Sequence, residues 1–268
     1  RDDQDSLYVY RLKMGNHVQR GIVACCHIED YEKDIIRKHE KTRQDKEDDR
    51  TRHVLALNAH SGPIFLTYRD QAALDKLVTA VEAESPLSDF TSVDGVRHTL
   101  WRIPDAASVV EMFGSVPFAY IADGHHRAAA AARAGTQKRR ENPAHTGNEE
   151  YNWFLAVLFP ASQLQILPYN RCVRDLNGLT AAEFLGRVGQ VFSVQAGAAP
   201  APSEPRHVSL YLEEKWYGLH WEAGQTDDPV TSLDVSCLQE RVLGPILGIH
   251  DPRTDKRIEF VGGIRGTD

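Results

Sequence analysis

The sequence predicts an α+β fold, with mixed sheets, hairpins and packed helices, on three observations. Short apolar runs bounded by turn residues recur along the chain, and helical stretches fall between them at irregular intervals. The strands do not alternate with helices in a regular βαβ series, which disfavours a plain Rossmann or barrel fold. Of the 268 residues, 41% are hydrophobic and 26% charged, ordinary for a globular protein and against wholesale disorder.

Taken in order, residues 7–12 and 20–26 read as two strands that turn at Gly15-Asn16. A densely charged run follows, and 44–58 has helical composition until it stops at His60-Ser61-Gly62-Pro63. Residues 64–68 are a strand, and 71–83 an amphipathic helix with Leu74, Leu77, Val78 and Val81 near one face. A hairpin spans 87–93 and 96–103 about Asp94-Gly95. A short helix, 106–113, precedes the buried strand 118–122, which runs into an alanine-rich helix ending near 134. The polar stretch 136–150 reads as a mobile loop. Strands are expected at 153–159, 163–167 and 170–173, and a helix at 180–188 with Thr180 as its N-cap. After a flexible connection at 197–205 come a hairpin of 207–212 with 216–221, a helix at 236–247 and a final strand at 256–261. The chain reads as one α+β unit, with 1–150, which carries the most informative motif, and 151–268 as its sub-domains.

Charge and cysteines narrow the function. There are 31 Lys+Arg against 38 Asp+Glu, a net charge of −7, so a general polyanion binder is disfavoured and DNA is not an expected partner. No window reaches the ~18 consecutive apolar residues of a membrane span. The start, Arg1-Asp2-Asp3-Gln4-Asp5, has no signal-peptide character and no Met, so the native start is expected upstream. Cys25, Cys26, Cys172 and Cys237 contain no CxxC pair, and a reduced, cytoplasmic protein with incidental thiols is expected.

The chemistry is concentrated at Asp123-Gly124-His125-His126-Arg127, where a strand passes through a glycine turn into a helix. Unpaired N–H groups and the positive end of the helix dipole make such a turn an anion site. Asp123 can cap the helix, Arg127 offers a fork for phosphate or carboxylate oxygens, and the histidines add donors or an acid–base group. A capped helix with surface histidines is the alternative. Metal ligation is disfavoured, because successive helical residues diverge by ~100° and Arg127 opposes a cation. A second cluster holds His39, Glu40, Lys41, Thr42, Arg43 and Lys46. There Glu40 could act as a base toward a hydroxyl, with the cations neutralising phosphate; a solvated charged segment explains the same residues. Asn58 and Ser61 are candidate substrate contacts or simple caps, and Asn170 with Arg171 forms a weaker candidate.

These segments, with Asp175-Leu176-Asn177-Gly178-Leu179 and Asp255-Lys256-Arg257-Ile258 before Gly262-Gly263, together resemble one bacterial and archaeal family, domain of unknown function ten-fifteen. The resemblance covers nearly the whole chain, Asp-Gly-His-His-Arg being its most specific part. It implies that this chain is an interior portion of a longer one. Through the same loop the family is similar to the ParB/sulfiredoxin-like superfamily, which implies a strand–turn–helix phosphate-binding core. Sulfiredoxin activity is disfavoured, since His125 stands where the catalytic cysteine would be. The free-serine kinases of that superfamily are the better match. The resemblance therefore implies phosphoryl transfer from ATP or another donor, with Mg²⁺ bridging donor oxygens, to free L-serine. Glu40 would accept the hydroxyl proton, and Asp123, Gly124, His125, His126 and Arg127, with Thr42, Arg43 and Lys46, would hold phosphate. His125 or His126 would add charge stabilisation, and His39, Asn58, Ser61, Asn170 and Arg171 would contact substrate. A non-catalytic nucleotide or anion sensor, and a ParB-like DNA-associated protein, are the alternatives.

Overall fold

The computed structural model describes residues 3–40, 42–222 and 228–262; Arg1, Asp2, Lys41 and Gly263, named above, lie outside them. The chain is α+β and divides into two compact units, 1–165 and 166–268.

The first unit runs β1 (Tyr8–Met14), β2 (His17–His27), α1 (Ile28–Glu32), β3 (Ile36–Arg37), α2 (Gln44–Leu57), β4 (Ile64–Tyr68) and α3 (Ala72–Glu82). It continues with β5 (Ser88–Thr91), β6 (Arg97–Arg102), α4 (Ala106–Phe113), β7 (Ala119–Asp123), α5 (His125–Glu141) and β8 (Trp153–Pro160). All eight strands form one sheet in the order β3-β7-β4-β8-β2-β1-β6-β5. Neighbours are antiparallel except β3 with β7 and β4 with β8. Alternation decides which side chains go inside. In β4, Ile64, Leu66 and Tyr68 are buried while Phe65 and Thr67 are only partly so. They share one core with Ile22, Ile121 and Phe154 of the sheet and with Ile28, Leu74, Val109 and Ala128 of the helices. β8 belongs to this unit because its register binds it to both β2 and β4.

Two expectations change here. The alanine-rich helix does not end near 134 but runs to Glu141, so 136–141 is helix and not loop. Gly135 lies inside the helix, where its bare Cα admits Ile28 and the Tyr151 carbonyl, and Lys138, Arg139 and Arg140 suit the negative end of the dipole. The strand expected at 163–167 is absent. A 3₁₀ turn, Ala161–Gln163, occupies its start, where the Gln163 side chain accepts the Arg20 N–H at 2.7 Å, and Pro168 removes a donor a strand would need.

The segment after α5 is braced through Glu149. Burial pushes this carboxyl up, but hydrogen bonds from the Thr146 N–H and hydroxyl and the Gly147 N–H outweigh it and bring the carboxyl to about 2. The folded value lies below the ordinary ~4.3, so the stability this carboxylate lends is present above that pH and is lost as pH falls toward 2. Glu149→Gln is thus expected to lower the thermal midpoint at neutral pH and to lose its effect near pH 2. A deficit that persists undiminished in acid would show that the charge is not the cause.

The second unit contains β9 (Tyr169–Val173), α6 (Ala181–Val188), β10 (Ser193–Ala196), β11 (His207–Leu212), β12 (Lys215–His220), α7 (Asp234–Leu238) and β13 (Ile258–Gly262). Its sheets are β10-β12-β11 and β13-β9, around a core that includes Phe184, Phe192, Leu219, Val242 and Leu247. Thr180 caps α6 in a reciprocal capping box with Glu183, as its position before the apolar run predicts. The helix expected at 236–247 is shorter: α7 passes into a π turn at Gln239–Leu243 and then loses regularity at Gly244-Pro245.

The cysteines carry free thiols. Cys237 is buried, and burial pushes the Cys26 thiol up to about 12. Among the described residues no helix is long and apolar enough to cross a membrane.

Candidate functional site

Strand register assembles the site. β3 runs parallel to β7, so both strands leave the sheet at the same end, and β4 enters there, with Phe65 opposite Asp123. Residues 38–40, 42–43 and 58–63 therefore flank the turn from β7 into α5. A crevice outside the carboxyl ends of parallel strands is where open α/β sheets place ligands.

At the turn, Gly124 has φ +97°, a left-handed conformation that a side chain strains, and a Cβ there would lie 2.8 Å from Nη2 of Arg127. Gly124 is the N-cap of α5 and supplies no side-chain oxygen. The first intrahelical bond is Ala128 N–H to Gly124 O, 2.9 Å, so the N–H groups of His125, His126 and Arg127 precede the helical ladder and lack acceptors within it. Asp123 is not the cap that its position before the helix suggests. Its carboxylate accepts from Arg127 Nη2 at 2.8 Å and holds the guanidinium against the bare glycine. Arg127 Nε is buried with no hydrogen-bond partner.

The two histidines point in different directions. His125 is only 4% exposed, and its Nδ1 lies 3.3 Å from Oε2 of Glu40, itself 55% exposed. The His39 ring stands edge-on to it at 4.4 Å. Burial first, and then the neighbouring His39, push the His125 imidazole below its ordinary value, against the opposing pull of Glu40 and Asp123. The His125 Nε2 is buried with no hydrogen-bond partner. His126 is half-buried, and its Nε2 accepts the Arg43 N–H at 3.2 Å.

The remaining expected residues separate. Thr42 donates its hydroxyl to Glu47, and the Arg43 guanidinium is paired with Asp45 at 2.9 Å. Lys46 is exposed in the first turn of α2. Asn58 is the left-handed C-cap of α2 and Ser61 lies exposed in the following turn, both at the sheet end that carries the site. Asn170 and Arg171 belong to the second unit, on β9 opposite Val261 and Phe260 of β13; Arg171 donates to the Tyr169 carbonyl.

One contributor was not read from the sequence. Arg133 of α5 reaches Glu47 at 3.2 Å and Asp48 at 2.6 Å and so fixes α2 on α5. Its signal is a single charge within an alanine run. A groove of about 790 Å³ lies along α5 at this pair, lined by Arg133 and Glu47 with Tyr31, Thr136, Gln137 and Arg140 among others. Arg133 on its wall is already paired with carboxylates, and the residues of α5 that line the groove lie past the first turn.

Fold and site together define an α+β protein in which a strand–turn–helix gathers a carboxylate, an arginine and two histidines at one helix start. The chain belongs to the family described as protein of unknown function (DUF1015), whose model matches residues 1–236, all of the first unit and the second as far as α7. No curated protein and no solved structure matches it.

Proposed function

We propose that this chain is a small-molecule kinase that transfers a phosphoryl group from a nucleotide or another phosphate donor to the hydroxyl of free L-serine, giving O-phosphoserine. The observation that carries the proposal is the placement of the Glu40 carboxylate 3.3 Å from His125, within the first turn of a helix whose leading N–H groups lack intrahelical acceptors. A base and an anion cradle thus share one turn. The β7–Gly124–α5 element is also what supports similarity to the ParB/sulfiredoxin-like superfamily.

The residues fit a phosphate. Amides at a helix start, the nearby Arg127 guanidinium and the close approach permitted by Gly124 match its charge and its oxygens. Among the described residues no group of three or more His, Cys, Asp or Glu side chains converges as metal ligands do, so magnesium is expected to arrive on the donor phosphates. The donor nucleotide supplies the phosphoryl group and the metal its charge neutralisation. Glu40 takes the hydroxyl proton as the serine oxygen forms its bond to phosphorus and the donor's bridging P–O bond breaks. The amides of 125–127 and Arg127 hold phosphate oxygens and offset their charge. Burial disfavours the charged form of His125, so the cationic work is assigned to Arg127.

The direct test incubates the full chain with L-serine and a panel of donors, including ATP, ADP and pyrophosphate, and follows O-phosphoserine by mass spectrometry. Product with at least one donor supports the reading; none with any of them overturns it. Arg127→Ala is expected to weaken nucleotide binding about tenfold to a hundredfold in calorimetry, the worth of a charged hydrogen bond. Unaltered affinity would remove Arg127 from the phosphate site.

A further inference from the structure

We infer that His126 is a positioning residue, whose imidazole fastens the chain at Arg43 to the start of α5 and thereby holds Glu40, three residues earlier in the chain, where a base is needed. The inference rests on the phosphotransfer reading for what Glu40 does, but not for what His126 holds.

Among the described residues 39, 40, 42 and 43, little else keeps this part of the chain in place. His39, Glu40 and Arg43 are exposed, and none of them contributes to the core. A polar loop without a buried apolar anchor opens at little cost, and its position depends on its few polar contacts. Those contacts fall at its two ends. At one end His39 and Glu40 lie against the His125 ring. At the other, the Arg43 guanidinium is committed to Asp45 in its own helix turn, so the atom that ties Arg43 to α5 is its backbone N–H, received by His126 Nε2. Thr42 adds a bond to Glu47, which Arg133 of α5 also holds.

Adjacent positions explain why two histidines are needed. Residues 125 and 126 diverge by ~100° around the helix, so one ring faces the core and the other faces sideways across the loop. They cannot converge on one ligand, but they can grip two points of a strap. The demands on them also differ: His125 presents its Nδ1 toward a carboxylate, whereas His126 presents a nitrogen acceptor to an amide. An acceptor nitrogen is an unprotonated one, so the fastened His126 is not a cation aimed at phosphate.

The test reads the fastening and its consequence separately on the full chain. Amide exchange at Arg43, measured without ligand, is expected to accelerate about fivefold in His126→Ala, the factor for one lost hydrogen bond of ordinary strength. It is expected to return toward the wild-type rate in His126→Gln, whose Oε1 can accept the same N–H, while amides of 130–140 in α5 stay as slow as before. In the serine kinase assay His126→Ala should lower kcat about fivefold with the donor KM unchanged, and His126→Gln should restore it. Unaltered exchange at Arg43 in His126→Ala overturns the inference. So does accelerated exchange with full kcat, because the position of the segment would then not matter. A wild-type chain that forms no product sinks the phosphotransfer reading, while the exchange rates still decide whether His126 is the fastener.

Discussion

Glu40→Gln is expected to lower O-phosphoserine formation by about 10²- to 10⁴-fold, the usual worth of a general base. The substitution keeps the shape of the side chain and removes only its capacity to take a proton. Glu40 is more than half exposed and makes its contact at the site through one oxygen, to His125, which leaves the other oxygen for a substrate hydroxyl. A surface substitution of this kind changes stability by no more than about 0.5 kcal/mol, so the melting temperature should hold while turnover collapses. Product formation at the wild-type rate would show that Glu40 is a loop carboxylate and that the proton leaves by another route.

Gly135→Ala should destabilise the first unit by about 2 kcal/mol, although alanine is the better helix former by about 1 kcal/mol. A Cβ at this position would stand 2.4 Å from Cδ1 of Ile28 and 2.5 Å from the carbonyl oxygen of Tyr151. Ile28 is fully buried and Tyr151 O is backbone, so neither can give way cheaply. Relief requires α5 to lift from α1 and from the segment before β8, and α5 carries the site at its other end. The melting temperature should fall by about 4–8 °C, with weaker nucleotide binding alongside. A variant more stable than the wild type would mean that helix propensity outweighs this packing.

The same glycine shows where local reading stops. In the sequence the alanine-rich helix ends near 134, and 136–141 reads as part of the loop after it. In the structure Gly135 is a point of close approach, and what makes it necessary comes from residues 28 and 151. The strand at Ile64–Tyr68 and the helix at Ala106–Phe113 needed no such help. Their own periodicity and their flanking Pro63, Asp105 and Gly114 carry the signal, and Asp105 caps the helix through the Ser108 N–H. The expected strand at 163–167 failed for the opposite reason. A side chain in it was claimed by Arg20, and alternation cannot report a competitor so far away.

For the site, the motif around Gly124 was legible because its parts are consecutive: a buried strand, a glycine that tolerates positive φ, and a helix whose leading amides have no acceptor. Chemical type could be read there without knowing the fold. The sequence likewise carried the α+β class, since apolar period and turn residues are local properties. What His125 and His126 touch was not local. Their partners Glu40 and Arg43 lie across three helices and four strands, 83 residues away in the case of Arg43. Only the parallel pairing of β3 with β7 brings them to one sheet end. The Asp123 carboxylate went to Arg127 and not to the helix cap because Gly124 left room for the guanidinium to lie against the turn. Backbone preference and side-chain chemistry act over a few residues and are written in the order of the chain, whereas partnership and burial belong to strand register and packing and exist only once the sheet has formed.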